Sequence, residues 1–205
     1  MRTFAAIGTA LAVLLTTLIL GSASPASAGH PRTYLGPGDA KVNGIGGEAI
    51  IRKDKRWGYI YISGKHSSHL RIKYIERKNS LRYRDTRTHK ATLPKRGCHR
   101  EKVKKGISVV CKIPKKFDGK KVFVQVWPRL GNDYVDGRTL PKRFRLWVLA
   151  DAGNDVVYGG DGADFVNGAK GNDRMYGGKG NDWLRGGPGA DVIKGGAGKD
   201  RIAHG

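Results

Sequence analysis

Large apolar residues recur every nine positions through the last quarter of the chain: Val157, Val166, Met175, Leu184, Ile193 and Ile202. Nearly everything between them is small or polar. A period of nine fits neither the helical repeat nor the alternation of a long strand. It predicts very short strands, each turning one apolar side chain toward a core, with turns between them. Upstream the pattern becomes alternation. Trp57, Tyr59 and Tyr61 alternate with Gly58, Ile60 and Ile62; Leu70, Ile72 and Tyr74 with Arg71, Lys73 and Ile75; Leu81 and Tyr83 with Arg82 and Arg84. Further β segments are expected at Ile107–Cys111, Val122–Trp127 and Phe144–Leu149. Turn residues break the chain at Ser63-Gly64, Lys78-Asn79, Pro94–Gly97, Asp118-Gly119 and Gly137. No long amphipathic helix is evident, so the chain is expected to be all-β.

The turns of the nine-residue units have a fixed composition. Asp stands two places before each apolar residue, at Asp155, Asp164, Asp173, Asp182, Asp191 and Asp200. Gly stands two places before each Asp, at Gly153, Gly162, Gly171, Gly180, Gly189 and Gly198. Most units open on a Gly pair, which adds Gly160, Gly178 and Gly187 to the candidate turn residues. Glycine accepts positive φ and lets carbonyls approach an ion closely. Each Asp adds a hard anionic oxygen, suited to calcium with its demand for six to eight oxygens. A flexible Gly-rich linker would not hold Asp, Gly and an apolar residue in phase six times.

The template G-G-x-G-x-D-x-U-x, written six times from Ala150 to Ala203, resembles the haemolysin-type calcium-binding nonapeptide repeats of the RTX family. The resemblance covers about a quarter of the chain and implies a right-handed parallel β-roll. Two units make one turn in that fold, so units eighteen residues apart stack. It implies Ca2+ between stacked turns, held by Asp155 with Asp173 and Asp173 with Asp191 on one edge, and by Asp164 with Asp182 and Asp182 with Asp200 on the other. Turn carbonyls complete each shell. Ala150, Asp151 and Ala169 stand where the motif prefers Gly, which predicts weaker binding in those turns. Lys199 beside Asp200 weakens the last site electrostatically, and the final turn is expected to fray. Leu130-Gly131-Asn132-Asp133-Tyr134-Val135 echoes Ala152–Val157. Two readings stand: a roll that begins near Lys120 with an insertion, making Asp133 an extra ligand, or a chance Gly-Asn-Asp turn.

Met1–Ala28 reads as a secretory signal: Arg2, an apolar run from Phe4 to Leu20, and Ala26-Ser27-Ala28 before a cleavage point at Gly29. The mature chain is then expected outside the cell with no membrane span. This departs from the RTX habit of leaving by a C-terminal signal. The expected organisation is signal 1–28, flexible lead-in 29–47, basic β-rich region 48–127 and calcium-binding β-roll 128–205, with regular repeats over 150–203. Cys98 and Cys111 are the only cysteines, and in an exported chain they are expected to form a disulfide.

Charge divides the chain. The whole sequence has 39 Lys+Arg and 17 Asp+Glu, net +22. From Ala150 onward there are seven Lys/Arg and eight Asp, so 7 − 8 = −1; with Arg2 set aside, 29–149 holds 31 Lys/Arg and nine Asp/Glu, so 31 − 9 = +22. Such a field attracts anionic polymers or surfaces, such as a cell-surface polymer or nucleic acid. His66-Ser67-Ser68-His69 has metal-like spacing without carboxylate support. G-x-S-x-G, H-E-x-x-H and P-loop motifs are missing, which argues against the enzyme classes they mark. The expected function is a secreted, non-enzymatic calcium-binding protein; the alternative is a basic polyanion-binding protein with a calcium-stiffened C-terminal roll.

Overall fold

The computed structural model describes residues 48–54, 58–64 and 66–205. The expected signal and lead-in, and Lys55, Arg56, Trp57 and Lys65, lie outside the described residues. Among the described residues the chain forms β1 (Glu48–Asp54), β2 (Gly58–Ile62), β3 (His69–Ile75), β4 (Ser80–Asp85), β5 (Lys90–Thr92), β6 (Cys98–Glu101), β7 (Ile107–Lys112), β8 (Val122–Trp127), β9 (Tyr134–Asp136), β10 (Phe144–Leu149), β11 (Val156–Tyr158), β12 (Phe165–Asn167), β13 (Arg174–Lys179), β14 (Trp183–Arg185), β15 (Val192–Ala197) and β16 (Arg201–Ala203). The helical content of the described residues is two single 3-10 turns, Glu76–Lys78 and Lys115–Phe117. The chain is all-β, and no described helix is long and apolar enough to cross a membrane.

The strands form two sheets. The first runs β16-β14-β12-β10-β8-β2-β1-β5 and the second β15-β13-β11-β9-β3-β4-β7-β6. Successive strands of the repeats therefore alternate between sheets, and strands within a sheet pair in parallel. Parallel pairing in register stacks the apolar residue of each unit on its counterpart. In the second sheet the stack is Leu70, Val135, Val157, Met175 and Ile193. In the first it is Tyr61, Val126, Val148, Val166, Leu184 and Ile202. These stacks face one another and, as far as Leu184, form part of one continuous buried core.

Both sheets continue past the regular repeats. Tyr134–Asp136 pairs with Val156–Tyr158 at an offset of 22 residues where the later turns use 18. The extra four residues lie in the turn between β9 and β10: Val135 to Val148 spans 148 − 135 = 13 positions, against 166 − 157 = 9 for the next turn. From β8 to β9 the spacing is nine again, 135 − 126, and so it is from β2 to β3, 70 − 61. Pro128–Asp136 is thus a further unit of the roll, and Ser63–Arg71 occupies the same backbone place without its acidic residue.

Antiparallel strands close the N-terminal side. β1 pairs with β2, β4 with β3, and β7 with β4 and β6. Here the core is filled by larger side chains, among them the fully buried Tyr61 and Tyr83. Buried Asp85 accepts from His69 N–H (3.0 Å), Arg87 N–H (2.9 Å), Tyr61 hydroxyl (2.8 Å) and Thr88 hydroxyl (2.8 Å), which secures the first turn of the stack. Cys98 and Cys111 face each other across β6 and β7 and are disulfide-bonded.

Candidate metal centre

Each Asp of the repeats sits at the entry to a short strand, where the chain turns into the core. Its side chain points along the stack. Asp155 N–H donates to Asp173 Oδ1 (2.8 Å), and Asp173 N–H to Asp191 Oδ1 (2.9 Å). On the other edge Asp164 N–H donates to Asp182 Oδ1 (2.8 Å), and Asp182 N–H to Asp200 Oδ1 (3.0 Å). One carboxylate oxygen of each pair thus fastens the preceding turn. The structure brings together the same partners that the eighteen-residue stacking implies.

The first edge extends upstream. Asp133 N–H donates to Asp155 Oδ1 (2.7 Å), and Ser68 N–H donates to Asp133 Oδ1. On the second edge the place before Asp164 is held by Leu146, whose N–H donates to Asp164 Oδ1 (2.7 Å). Asparagine does the converse work. Asn132, Asn154 and Asn172 accept through Oδ1 from the N–H of Asn154, Asn172 and Ala190, each at 2.8 Å, and Asn181 accepts from Lys199 N–H (3.0 Å). Every Asn-Asp pair therefore clasps the turn on both sides. The recurrent Asn-Asp dipeptide carried this signal in the sequence, but the dipeptide alone does not show which neighbour each side chain binds.

The second carboxylate oxygen matters for a metal. Oδ2 of Asp133, Asp155, Asp173 and Asp182 is buried and has no hydrogen-bond partner. A buried, unpartnered anionic oxygen is costly. Burial pushes the carboxyl of Asp155 up to about 8, and the neighbouring Asp133 and Asp173 add to the rise. Burial likewise raises Asp133 to about 7, Asp164 to about 8 and Asp182 to about 6, and it raises Asp173. Backbone N–H donors oppose each shift and are outweighed. Asp164 differs in one respect: its Oδ2 accepts from Gly160 N–H (2.7 Å), so this oxygen already has a protein partner.

The Oδ2 atoms lie hard against glycines, in space that a side chain would need. A Cβ on Gly168, Gly177, Gly186 or Gly195 would lie 2.1–2.3 Å from Oδ2 of Asp173, Asp182, Asp191 or Asp200 respectively. The opening glycine of these units is thus held to that identity by the carboxylate five residues later, a pairing the sequence reading passed over; the first unit opens on Ala150 instead. The candidate Gly153, Gly171, Gly180 and Gly189 all have φ between +115° and +150°. Gly178 and Gly187 are also left-handed, at +103° and +101°, whereas Gly160 and Gly162 do not share that conformation. Gly160 lies under the four-residue insertion, with Leu140 O and Gly137 O close by.

Residues 147–175 and 176–205 match the family profile described as RTX calcium-binding nonapeptide repeat (4 copies). Residues 147–205 are RTX calcium-binding repeats. Their cofactor is Ca2+. No curated protein and no solved structure matches the chain. The residues of the RTX segment fit that ion: hard oxygens in pairs, unpartnered lone pairs, and glycines that let the carboxylates approach the turn backbone where a side chain would clash. Among the described residues no three His, Cys, Asp or Glu side chains converge as a metal cluster. Paired Asp oxygens with turn carbonyls would make up the six to eight oxygens calcium takes. His69, one of the two histidines with metal-like spacing, stacks on Tyr134 with ring centroids 4.3 Å apart.

Proposed function

We propose that the protein is a secreted, non-enzymatic calcium-binding protein whose RTX roll is assembled by Ca2+. The observation that carries this reading is the row of buried, unpartnered Oδ2 atoms on Asp133, Asp155, Asp173 and Asp182, each on a residue whose partner carboxylate stacks directly beside it. Asp155, Asp173 and Asp191 with Asp133 would hold ions on one edge, and Asp164, Asp182 and Asp200 on the other, with carbonyls of the Gly-rich turns around Gly153, Gly160, Gly162, Gly171, Gly178, Gly180, Gly187 and Gly189. Calcium supplies the positive charge that lets these carboxylates ionise where protein surrounds them.

The coupling follows from electrostatics. At neutral pH an unfolded Asp is ionised, with an ordinary pKa near 3.9. Folding without a cation forces adjacent carboxylates either to take up a proton or to repel one another in a poorly solvated place. A bound divalent ion removes that cost, so its binding free energy becomes folding free energy. Support for an extracellular setting comes from the apolar Phe4–Leu20 run, the Ala26-Ser27-Ala28 site and the disulfide. Affinity in the extracellular range, about 10⁻⁴–10⁻³ M, suits a protein that meets calcium only after export. Circular dichroism of the mature chain in calcium and in chelator tests the proposal: β signal should rise with calcium. Identical spectra, with no heat of calcium binding by calorimetry, would overturn it.

A further inference from the structure

The outward face of the second sheet has an unusual charge pattern. In β3 and β4 the side chains of Leu70, Ile72, Leu81 and Tyr83 fill the core, so Arg71, Lys73, Arg82 and Arg84 point away from it. The register sets Arg71 opposite Arg84 and Lys73 opposite Arg82. Like charges directly opposite one another destabilise a sheet. Only part of the charge is met within the protein. Arg82 forks onto Glu101 (2.8 and 2.9 Å), and Arg71 and Arg138 share Asp136 (3.2 and 2.9 Å). Among the described residues neither Lys73 nor Arg84 has an ion-pair partner. Lys73 lines an open depression of about 630 Å³ with Arg77, Arg82 and Glu76, and a second of about 570 Å³ is lined by Arg77, Lys78, His99 and Lys112.

The same face continues along the roll. Register places Arg71, Asp136, Tyr158, Tyr176 and Lys194 in one row across five strands. The tyrosine rings are already engaged. Tyr158 and Tyr176 stack on each other at 4.7 Å and 6°, Arg138 lies over Tyr158 at 4.6 Å, and Lys194 lies over Tyr176 at 5.9 Å. Binding of single-stranded nucleic acid draws on open aromatic faces as stacking platforms. These rings offer edges and hydroxyls instead. Asp136 in this row is buried and met by Arg71 and Arg138, which leaves cations and hydroxyls stepped at multiples of the strand spacing of about 4.8 Å, a match to a sugar chain with acidic groups better than to stacked bases.

We propose that the outward face of the second sheet binds a linear acidic polysaccharide, laid across the strands from the Arg84–Lys73 block toward Tyr176 and Lys194. Its carboxylate or sulfate groups would neutralise the like-charged block, and hydroxyls would engage the tyrosines. The far end of this face belongs to the RTX segment, so the test is made on the full mature chain with calcium present.

Labelled dextran sulfate is titrated over a salt series, beside a thymidine oligonucleotide of matched charge. The expected result is dextran sulfate binding that weakens steeply with salt, as counterion release requires. The double variant Lys73→Ser/Arg84→Ser should lose about tenfold in affinity and about two from the log–log salt slope. Lys120→Ser/Lys121→Ser, which removes the same charge from the turn before β8, should bind as the parent does. Circular dichroism in calcium checks that each variant is folded. Equal losses in the two double variants would overturn the proposal in favour of diffuse attraction. Tighter binding of the oligonucleotide would overturn it in favour of nucleic acid, and no binding at low salt would overturn it outright.

Discussion

The turn at Ser63–Arg71 and the turns of the RTX segment have the same nine-residue backbone spacing and are fastened by different chemistry. At the first, Ser67 hydroxyl accepts from Asn132 N–H (2.9 Å) and Ser68 N–H donates to Asp133; Asp85, Tyr61 and Thr88 close the end in a satisfied buried network. In the RTX turns the same places are taken by Asn and Asp, and one buried oxygen of Asp155, Asp173 and Asp182 is left over. The hydrogen-bonded Asp85 cluster and a bulky aromatic core secure the first region without a row of stacked carboxylates, and the polar groups left without partners there are neutral hydroxyls, those of Ser63, Ser68 and Tyr83. The second has a thin core of one apolar residue per unit and a row of carboxylates that need a cation. The comparison teaches that a shared backbone path does not imply a shared source of stability.

Calcium removal is the sharpest way to separate the two regions. Chelator should melt the RTX segment while hydrogen exchange of β1–β4 and β7 stays slow, because their core of Tyr61, Tyr83, Leu70 and Ile72 needs no ion. Simultaneous loss of protection in both regions would break the comparison. Within the roll, Asp173→Ala and Asp182→Ala should weaken calcium binding strongly, since each side chain, like that of Asp155, is stacked between two others. Loss of a direct ligand should cost at least the ten- to hundredfold seen for outer-shell partners. Asp200→Ala, at the last turn, should cost less; equal losses at all three positions would contradict the stacking.

Acid should act on the calcium-free roll in the opposite sense to ordinary acid denaturation. The folded carboxyls of Asp133, Asp155 and Asp182 lie near 7, 8 and 6, above their unfolded value near 4. A raised folded pKa means that the fold binds the proton more tightly than the unfolded chain does. That contribution is complete below about pH 4 and is lost as pH rises through 6 to 8. Calcium-free protein should therefore gain β signal as pH falls from 8 to about 5, and calcium affinity should fall over the same window as protons compete for the ligands. Circular dichroism and calcium titration at several pH values measure both. A calcium-free roll that loses structure monotonically on acidification would refute the electrostatic account.

Asp133→Asn probes the unit that lies outside the matched repeats. Its carboxylate is 2% exposed and repeats the geometry of Asp155. The variant should bind one calcium fewer by calorimetry while keeping the hydrogen bond from Ser68 N–H. Unchanged stoichiometry would confine the ion sites to 147–205. Reduction of Cys98–Cys111 should have a smaller and local effect, about 2–3 kcal/mol for a loop of this length. It should loosen β6 against β7 and leave the calcium response of the repeats intact, as thermal melts with and without reductant would show.

Much of this was legible in the sequence because the period of nine is a direct image of the backbone. The Asp columns, the strands around Tyr59–Ile62, Leu70–Tyr74 and Val122–Trp127, and the cysteine pair follow from spacing or composition, and the stacking partners from the resemblance to the RTX repeats. The continuation of the roll through Ser63–Arg71 was not legible, since of the motif it keeps little more than Leu70 at the apolar place. The Ser67 hydroxyl can replace Asn there because Asn132 N–H already points along the stack toward it. The four-residue insertion between β9 and β10 hid the phase of Pro128–Asp136, leaving Asn132-Asp133 an isolated echo. The cross-strand meeting of Arg71 with Arg84 depends on register, which composition does not carry.

The smallest expected effect concerns the two edges of the roll. At the second position of each unit one edge has Gly178 and Gly196, with φ of +103° and +102°. The other edge has Arg129 (+76°), Asp151 (+80°) and Ala169 (+70°) before reaching Gly187 (+101°). A left-handed conformation costs an L-residue about 1–2 kcal/mol. Asp tolerates it through local hydrogen bonding of its side chain, which Ala lacks. Ala169→Gly relieves the strain but gives the unfolded chain more freedom, about 0.5–1 kcal/mol in the opposite direction. The net stabilisation should be about 0.5 kcal/mol in calcium, a rise of a few degrees or less in melting temperature. Gly187→Ala, next along the same edge, should be clearly destabilising, because its Cβ would lie 2.0 Å from Ala169 O. If Ala169→Gly destabilises instead, the left-handed position is held by packing of the methyl group, and backbone strain does not distinguish the two edges.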